Sequence, residues 1–258
     1  MKERMILIGL LGCGLAQATE FKREMSTDRP DTTESPVSVE AGGVQVESSL
    51  WAFARDKEDG VTTEAWTLGE SNVKFGIADN QDIQFVIRPW ISETVKASGI
   101  KERAEGFGDL EVRYKYNLWG NDGGDTAMGL MPFVSIPTQT EVSTGEWEGG
   151  LIVPFSVELC DGIGLGLMAE VDRVWDDEGG DHEWEFMHTA VLGIDLTETV
   201  GLYLEYIGIA GPGDYQALAS AGFTWAQTNN LRWDVGFTAG LTDAAEDVSV
   251  FQGISFRF

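Results

Sequence analysis

The last eleven residues, VSVFQGISFRF, place Val248, Val250, Ile254, Phe256 and Phe258 on one parity. Ser249, Ser255 and Arg257 fall on the other, with Phe251 as the exception. A period of two describes a strand with one apolar and one wet face. The period recurs upstream, where Leu110, Val112, Tyr114, Tyr116 and Leu118 alternate with Asp109, Glu111, Arg113, Lys115 and Asn117. From about residue 42 it predicts twelve strands, near 43–55, 62–77, 82–93, 107–119, 125–136, 149–160, 162–175, 183–196, 199–209, 214–226, 230–241 and 247–258. Segments this long exceed the five or six residues common in soluble sheets.

A soluble sandwich shows the same period but packs its apolar faces inward. The connections discriminate. Ala78 to Gln81, Gly120 to Gly124, Asp161, Thr197-Glu198 and Gln227 to Asn229 are short. Between them come longer links at Asp56 to Val61, Glu93 to Glu105, Thr138 to Glu148, Asp176 to His182, Gly211 to Gly213 and Thr242 to Glu246. Outer-membrane barrels alternate tight periplasmic turns with longer external loops. The expected fold is therefore all-β: a transmembrane, antiparallel, up-and-down barrel of about twelve strands with both termini periplasmic. Trp119, Trp225 and Trp233 then fall near one rim and Trp90, Trp175 and Trp184 near the other. Indoles at both interfaces form the aromatic girdles of such barrels, although tryptophans packed in a core are the alternative.

Residues 1–18 read as a signal peptide: Lys2 and Arg4, an apolar run from Met5 to Leu15, and the small-residue site Ala16-Gln17-Ala18. Cys13 after Leu10-Leu11-Gly12 offers a lipoprotein site instead. If Cys13 leaves, Cys160 stands alone and no intrachain disulfide forms. Export would place the chain in a Gram-negative outer membrane, with outer-membrane lipid and the barrel-assembly machinery as partners. A net charge of -26, from 17 basic against 43 acidic residues, excludes nucleic acid as a partner. Residues 19–41 carry no hydrophobic period and form an extended arm; residues 42–258 form the barrel.

The arm sequence Ser26-Thr27-Asp28-Arg29-Pro30-Asp31-Thr32-Thr33-Glu34-Ser35-Pro36 resembles the opening of the "MetA-pathway of phenol degradation" family of outer-membrane transporters. Gly106-Phe107-Gly108-Asp109 leading into Arg113-Tyr114-Lys115, Met131 to Thr138, and Gly253 to Phe258 fit the same family. The resemblance implies a channel or transporter, with aromatic compounds among the candidate cargoes. Separately, the terminal Phe258 on its amphipathic strand resembles the signal by which outer-membrane barrels are recognised for assembly.

Inward parity predicts a polar lumen. Lys74, Arg88, Arg113 and Lys115 come from strands two to four; Glu158, Glu170, Asp172, Glu183, Glu185 and Glu205 come from the opposite wall. Such walls either pair across the lumen and brace it or select the ions that pass. Asp28, Arg29, Pro30 and Asp31 either dock within that lumen as a plug or tether the barrel in the periplasm. An outer-membrane lipid hydrolase is the competing class and would need a histidine with serine on the outer face. His182 lies in an acidic loop, and His188 shares its parity with Trp184, Phe186 and Ala190. Asp176 to Asp181 falls short of a full calcium loop, and His182 with its neighbouring carboxylates matches no strong ligand spacing. No cofactor is implied. The expectation is a non-enzymatic small-molecule channel, with a plugged structural barrel as the second reading.

Overall fold

The computed structural model describes residues 21–176 and 179–258; the signal segment, Cys13 and the first two arm residues lie outside them. Among the described residues, strand segments form one sheet that closes on itself. β1 (Val44–Glu58) pairs antiparallel with β2 (Val61–Ala78) on one side and with β14 (Val248–Arg257) on the other. β3 (Gln81–Ile87) and β4 (Trp90–Ala97) both pair with β2 and make a single stave. β5 (Ile100–Gly106) and β6 (Leu110–Trp119) make the next. The remaining staves follow in order: β7 (Thr126–Ile136), β8 (Glu148–Cys160), β9 (Ile163–Asp176), β10 (Asp181–Asp195), β11 (Val200–Ala210), β12 (Gln216–Thr228) and β13 (Leu231–Gly240). Fourteen segments thus make twelve staves. Val44 and Phe258 exchange both backbone hydrogen bonds, each 3.0 Å, at the closing seam.

Two staves break where the backbone cannot continue the ladder. Pro89 has no N–H to donate. Level with it, Gly69 takes φ 70°, and the Gly108 N–H turns to the Arg88 carbonyl at 2.9 Å. The register also shifts between Ser49 and Trp51. Beyond this level, Phe53 packs on Trp66 at 4.9 Å between ring centroids. The outer face then passes to Glu64, which pairs with Lys96 at 2.6 Å, so apolar gives way to charged.

The links expected at 56–61 and 93–105 are not loops. β1 and β2 run on to the two-residue turn Asp59-Gly60, and β4 and β5 to Ser98-Gly99. All four turn residues have positive φ, as tight hairpins require. These extensions rise beyond the apolar belt, where nothing demands one greasy face.

The wall is inside-out relative to a soluble core. Gln45, Glu47, Lys74, Asp82, Gln84, Lys115, Asn117 and Ser255 are each at most 2% exposed. Phe75, Leu118, Leu167, Leu204, Phe223, Val235 and Phe237 stand exposed on the other face. Trp119 and Trp225 are exposed at the short-turn end and Trp184 at the loop end. No described helix is long and apolar enough to cross a membrane; the strands make the crossing.

The lumen is not wholly polar, contrary to the sequence expectation. Met131, Ile152 and Met168 from β7, β8 and β9 form a buried apolar patch, joined by Phe133 and Met187. These staves carry apolar residues on both faces.

Candidate functional site

Residues 21–43 enter the barrel from the short-turn end, cross the lumen and return to β1. At the entrance Arg23 donates to the Asp79 carbonyl at 2.6 Å and pairs with Asp122 at 3.1 Å. Arg257 donates to the Arg23 carbonyl at 2.7 Å and lies over the Phe21 ring. On the return, Asn117 donates to the Pro36 carbonyl at 2.8 Å, and the Ser38 and Val39 N–H groups donate to Asn121 and Asp82, each at 2.9 Å. Gly76 makes this path possible, because a Cβ there would collide with the Glu40 carbonyl.

Residues 28–35 form a crossbar between the two walls. Asp28 accepts from Lys115 at 2.8 Å and from Lys74, and its Oδ1 also takes the Ser35 N–H at 2.9 Å, closing the loop. Burial opposes ionisation of Asp28, but the Lys115 and Lys74 ammonium groups prevail and hold its carboxyl well below the usual range. Glu47 pairs with Lys74 and accepts the Asp28 and Arg29 N–H groups at 2.9 and 3.0 Å. Arg29 reaches Asp234 at 2.7 Å and lies over Phe251. At the tip, Glu205 accepts the Thr32 and Thr33 N–H groups at 3.0 and 2.8 Å and the Thr33 hydroxyl at 2.7 Å. Glu34 pairs with Arg113, which also pairs with Glu111.

Direct pairing of one wall with the other, one of the two expected uses of the charges, is absent among the described ion pairs. The arm stands between the walls and takes the partners. Lys74, Lys115 and Arg113 face the lumen and bind the arm, while Arg88 pairs with Glu70 at 2.8 Å. Glu158 is exposed at the short-turn mouth and Glu183 at the loop-side rim. Glu170, Asp172 and Glu185 line the lumen with no cation partner within salt-bridge distance in the described set, and one oxygen of Asp172 has no hydrogen-bond partner. Sequence parity alone missed Glu34, Glu47 and Asp234, because their importance arises only once the arm is inside.

The crossbar divides the remaining space. A cavity of about 840 Å³ opens on the short-turn side, between Arg29, Pro30 and Asp31 of the arm and glycines 162, 164, 166, 193 and 201 of the wall. A vestibule of about 360 Å³ lies on the loop side, lined by Arg88, Asp109, Glu111, Phe133, Glu148 and Asp172 among others. The 138–147 loop helps close this vestibule: Asp109 accepts the Thr138 and Thr144 N–H groups, both at 2.9 Å, and both hydroxyls. Burial works against the Asp109 charge, yet these bonds and one from Ser143 hold its carboxyl below the usual range.

His188 lies on the outer face, stacked on Phe186 and beside Tyr206, with its Nε2 3.3 Å from the Tyr215 hydroxyl. A tyrosine stands where a hydrolase would need serine. His182 sits 2.7 Å from the Trp147 carbonyl and edge-on to Trp175, and Cys160 is exposed beside a turn.

A closed antiparallel wall, apolar outside and polar inside, with tryptophans at both rims, defines an outer-membrane β-barrel. Solved structures share the architecture. The NanC porin has a TM-score of 0.52 at 11% identity, covering 83% of this chain and 98% of that one. The translocator domain of the autotransporter NalP from Neisseria meningitidis gives 0.53 at 10%, covering 84% and 89%. The β-domain of the Bordetella autotransporter BrkA gives 0.50 at 14%, covering 85% and 100%. At such identities the likeness is one of fold. The chain belongs to the family described as "Putative MetA-pathway of phenol degradation", whose model matches residues 27–258 and so includes the crossbar. No curated protein sequence matches it.

Proposed function

We propose that this barrel is a passive outer-membrane channel for small molecules, aromatic and hydrophobic compounds among them, with residues 21–41 as its plug. The observation that carries the reading is what fills the bore. Here a segment that contributes no strand fills it, leaving cavities of about 840 and 360 Å³ on either side. The Met131, Ile152 and Met168 patch lies buried against the crossbar, and withdrawal of the arm would uncover it for an apolar solute.

Single-channel recording of the refolded protein tests this. The full chain should conduct little or intermittently, and a variant lacking residues 21–41 should conduct steadily. A folded but silent variant would favour the structural barrel. Export would rest on residues 1–18, and recognition by the assembly machinery on Phe258, whose exposed ring stacks on Phe256 at the seam. Deleting Phe258 should sharply lower the assembled barrel in cells; unchanged membrane levels would refute that role.

A further inference from the structure

The loop-side vestibule holds more negative charge than its neighbours neutralise. Asp109 is occupied by the 138–147 loop, and Glu111 is paired with Arg113. Glu148 has one oxygen bound to the Trp175 N–H at 2.9 Å. Asp172 is different. It is 6% exposed, it lines the vestibule, and its Oδ1 has no hydrogen-bond partner. Its cross-strand neighbour on β10 is another carboxylate, Glu185. The arginines that could neutralise it, Arg88 and Arg113, are engaged by Glu70 and by Glu34 with Glu111. An unpaired carboxylate here is costly, so a cation that brought a positive charge to Asp172 would be favoured at this spot.

The surroundings of Asp172 say what kind of charge would fit. On β8 its neighbour is Gly150, where a Cβ would strike both the Asp172 carboxylate and the Phe133 ring. The glycine thus leaves carboxylate and aromatic ring side by side. Ile91, Val142 and Val174 complete an apolar rim. Among the described residues no cluster of three or more His, Cys, Asp or Glu side chains could hold a metal ion. An aromatic ring beside a carboxylate, under an apolar rim, suits an ammonium group on a greasy body.

We propose that the vestibule is a binding site for organic cations of the arylalkyl-ammonium class, with Asp172 as the counter-ion and Phe133 as the ring contact. Passage of such a cation through the bore rests on the channel reading above; its binding does not.

The test uses the refolded full chain in detergent, titrated calorimetrically with 2-phenylethylammonium, its neutral analogue 2-phenylethanol and the anion phenylacetate. The ammonium should bind at least tenfold more tightly than either analogue, and Asp172→Asn should remove that preference. Glu185→Gln, less buried, should weaken it severalfold and serves if Asp172→Asn does not fold. Equal binding of all three probes would overturn the proposal. So would a preference for the ammonium that both variants leave intact. Binding by the full chain with no steady conductance in the folded variant lacking residues 21–41 would sink the channel and keep the site; conductance of that variant without the preference would do the reverse.

Discussion

The two walls of the lumen meet the arm by different means. On the side of β2 and β6, Lys74 and Lys115 are sunk to 2% and 1% exposure, and their contacts with Asp28 join charge to charge. On the side of β11, Glu205 holds the tip through backbone N–H groups and one hydroxyl, with no cation involved. The difference sets where the arm can move. Removing one member of a buried ion pair strands the other, whereas water readily replaces an amide donor at a carboxylate. The base of the crossbar is the fixed end, and its tip is the end that lets go.

Asp28→Ala attacks the fixed end and carries the largest expected effect. It leaves Lys115 without its carboxylate and Lys74 with Glu47 alone. Loss of one partner from a buried pair costs about 3–5 kcal/mol, and lumen water should bring the observed loss toward the lower figure. Urea unfolding in detergent reads it, together with a marked rise in conductance. A loss no larger than that of Glu205→Gln would erase the contrast between the walls.

Glu205→Gln attacks the releasing end. The amide keeps one acceptor oxygen but loses the charge, so about 1–2 kcal/mol should go, the difference between charged and neutral hydrogen bonds. Brief openings should appear in single-channel records while the arm stays protected from protease. Permanent opening would mean that the tip, not the base, holds the plug.

The smallest effect belongs to Asp109, which holds a loop and not the arm. Asp109→Asn should cost under about 1 kcal/mol and increase protease cleavage within 138–147 without altering the plug. The native carboxyl is depressed, so its contribution is complete above the ordinary Asp value of about 4 and is lost as pH falls through its lower folded value. The loop should therefore keep its protection from neutral pH down to about 5 and yield only in stronger acid. Loss of protection near neutrality would show that other groups anchor it.

The staves were legible in the sequence wherever lipid faces one side and water the other. Leu110 to Trp119 and Leu231 to Gly240 needed no more than their period. Legibility failed where one of those conditions lapses. Above the apolar belt, water meets both faces, so the hairpins around Asp59-Gly60 and Ser98-Gly99 carry no period and read as loops. Inside the barrel, Met131 and Ile152 face a crossbar instead of water, and their staves turn apolar on both faces. The continuous runs Ala127 to Ile136 and Leu151 to Phe155 were the available signal. The partners of the arm were beyond reach, because Asp28 to Lys115 is a contact across 87 residues between polar groups that no periodicity ties together.

The crossbar also separates two properties that most barrels lock together. In an ordinary pore, bore and wall are the same residues, so every change to the opening risks the pairing that builds the cylinder. Here much of the bore belongs to eight residues that join no ladder. On the channel reading proposed above, substitutions between 28 and 35 would retune what passes while the lipid-facing staves and the Val44–Phe258 seam remain as they are. On that reading, permeability is free to diversify independently of the ability to assemble.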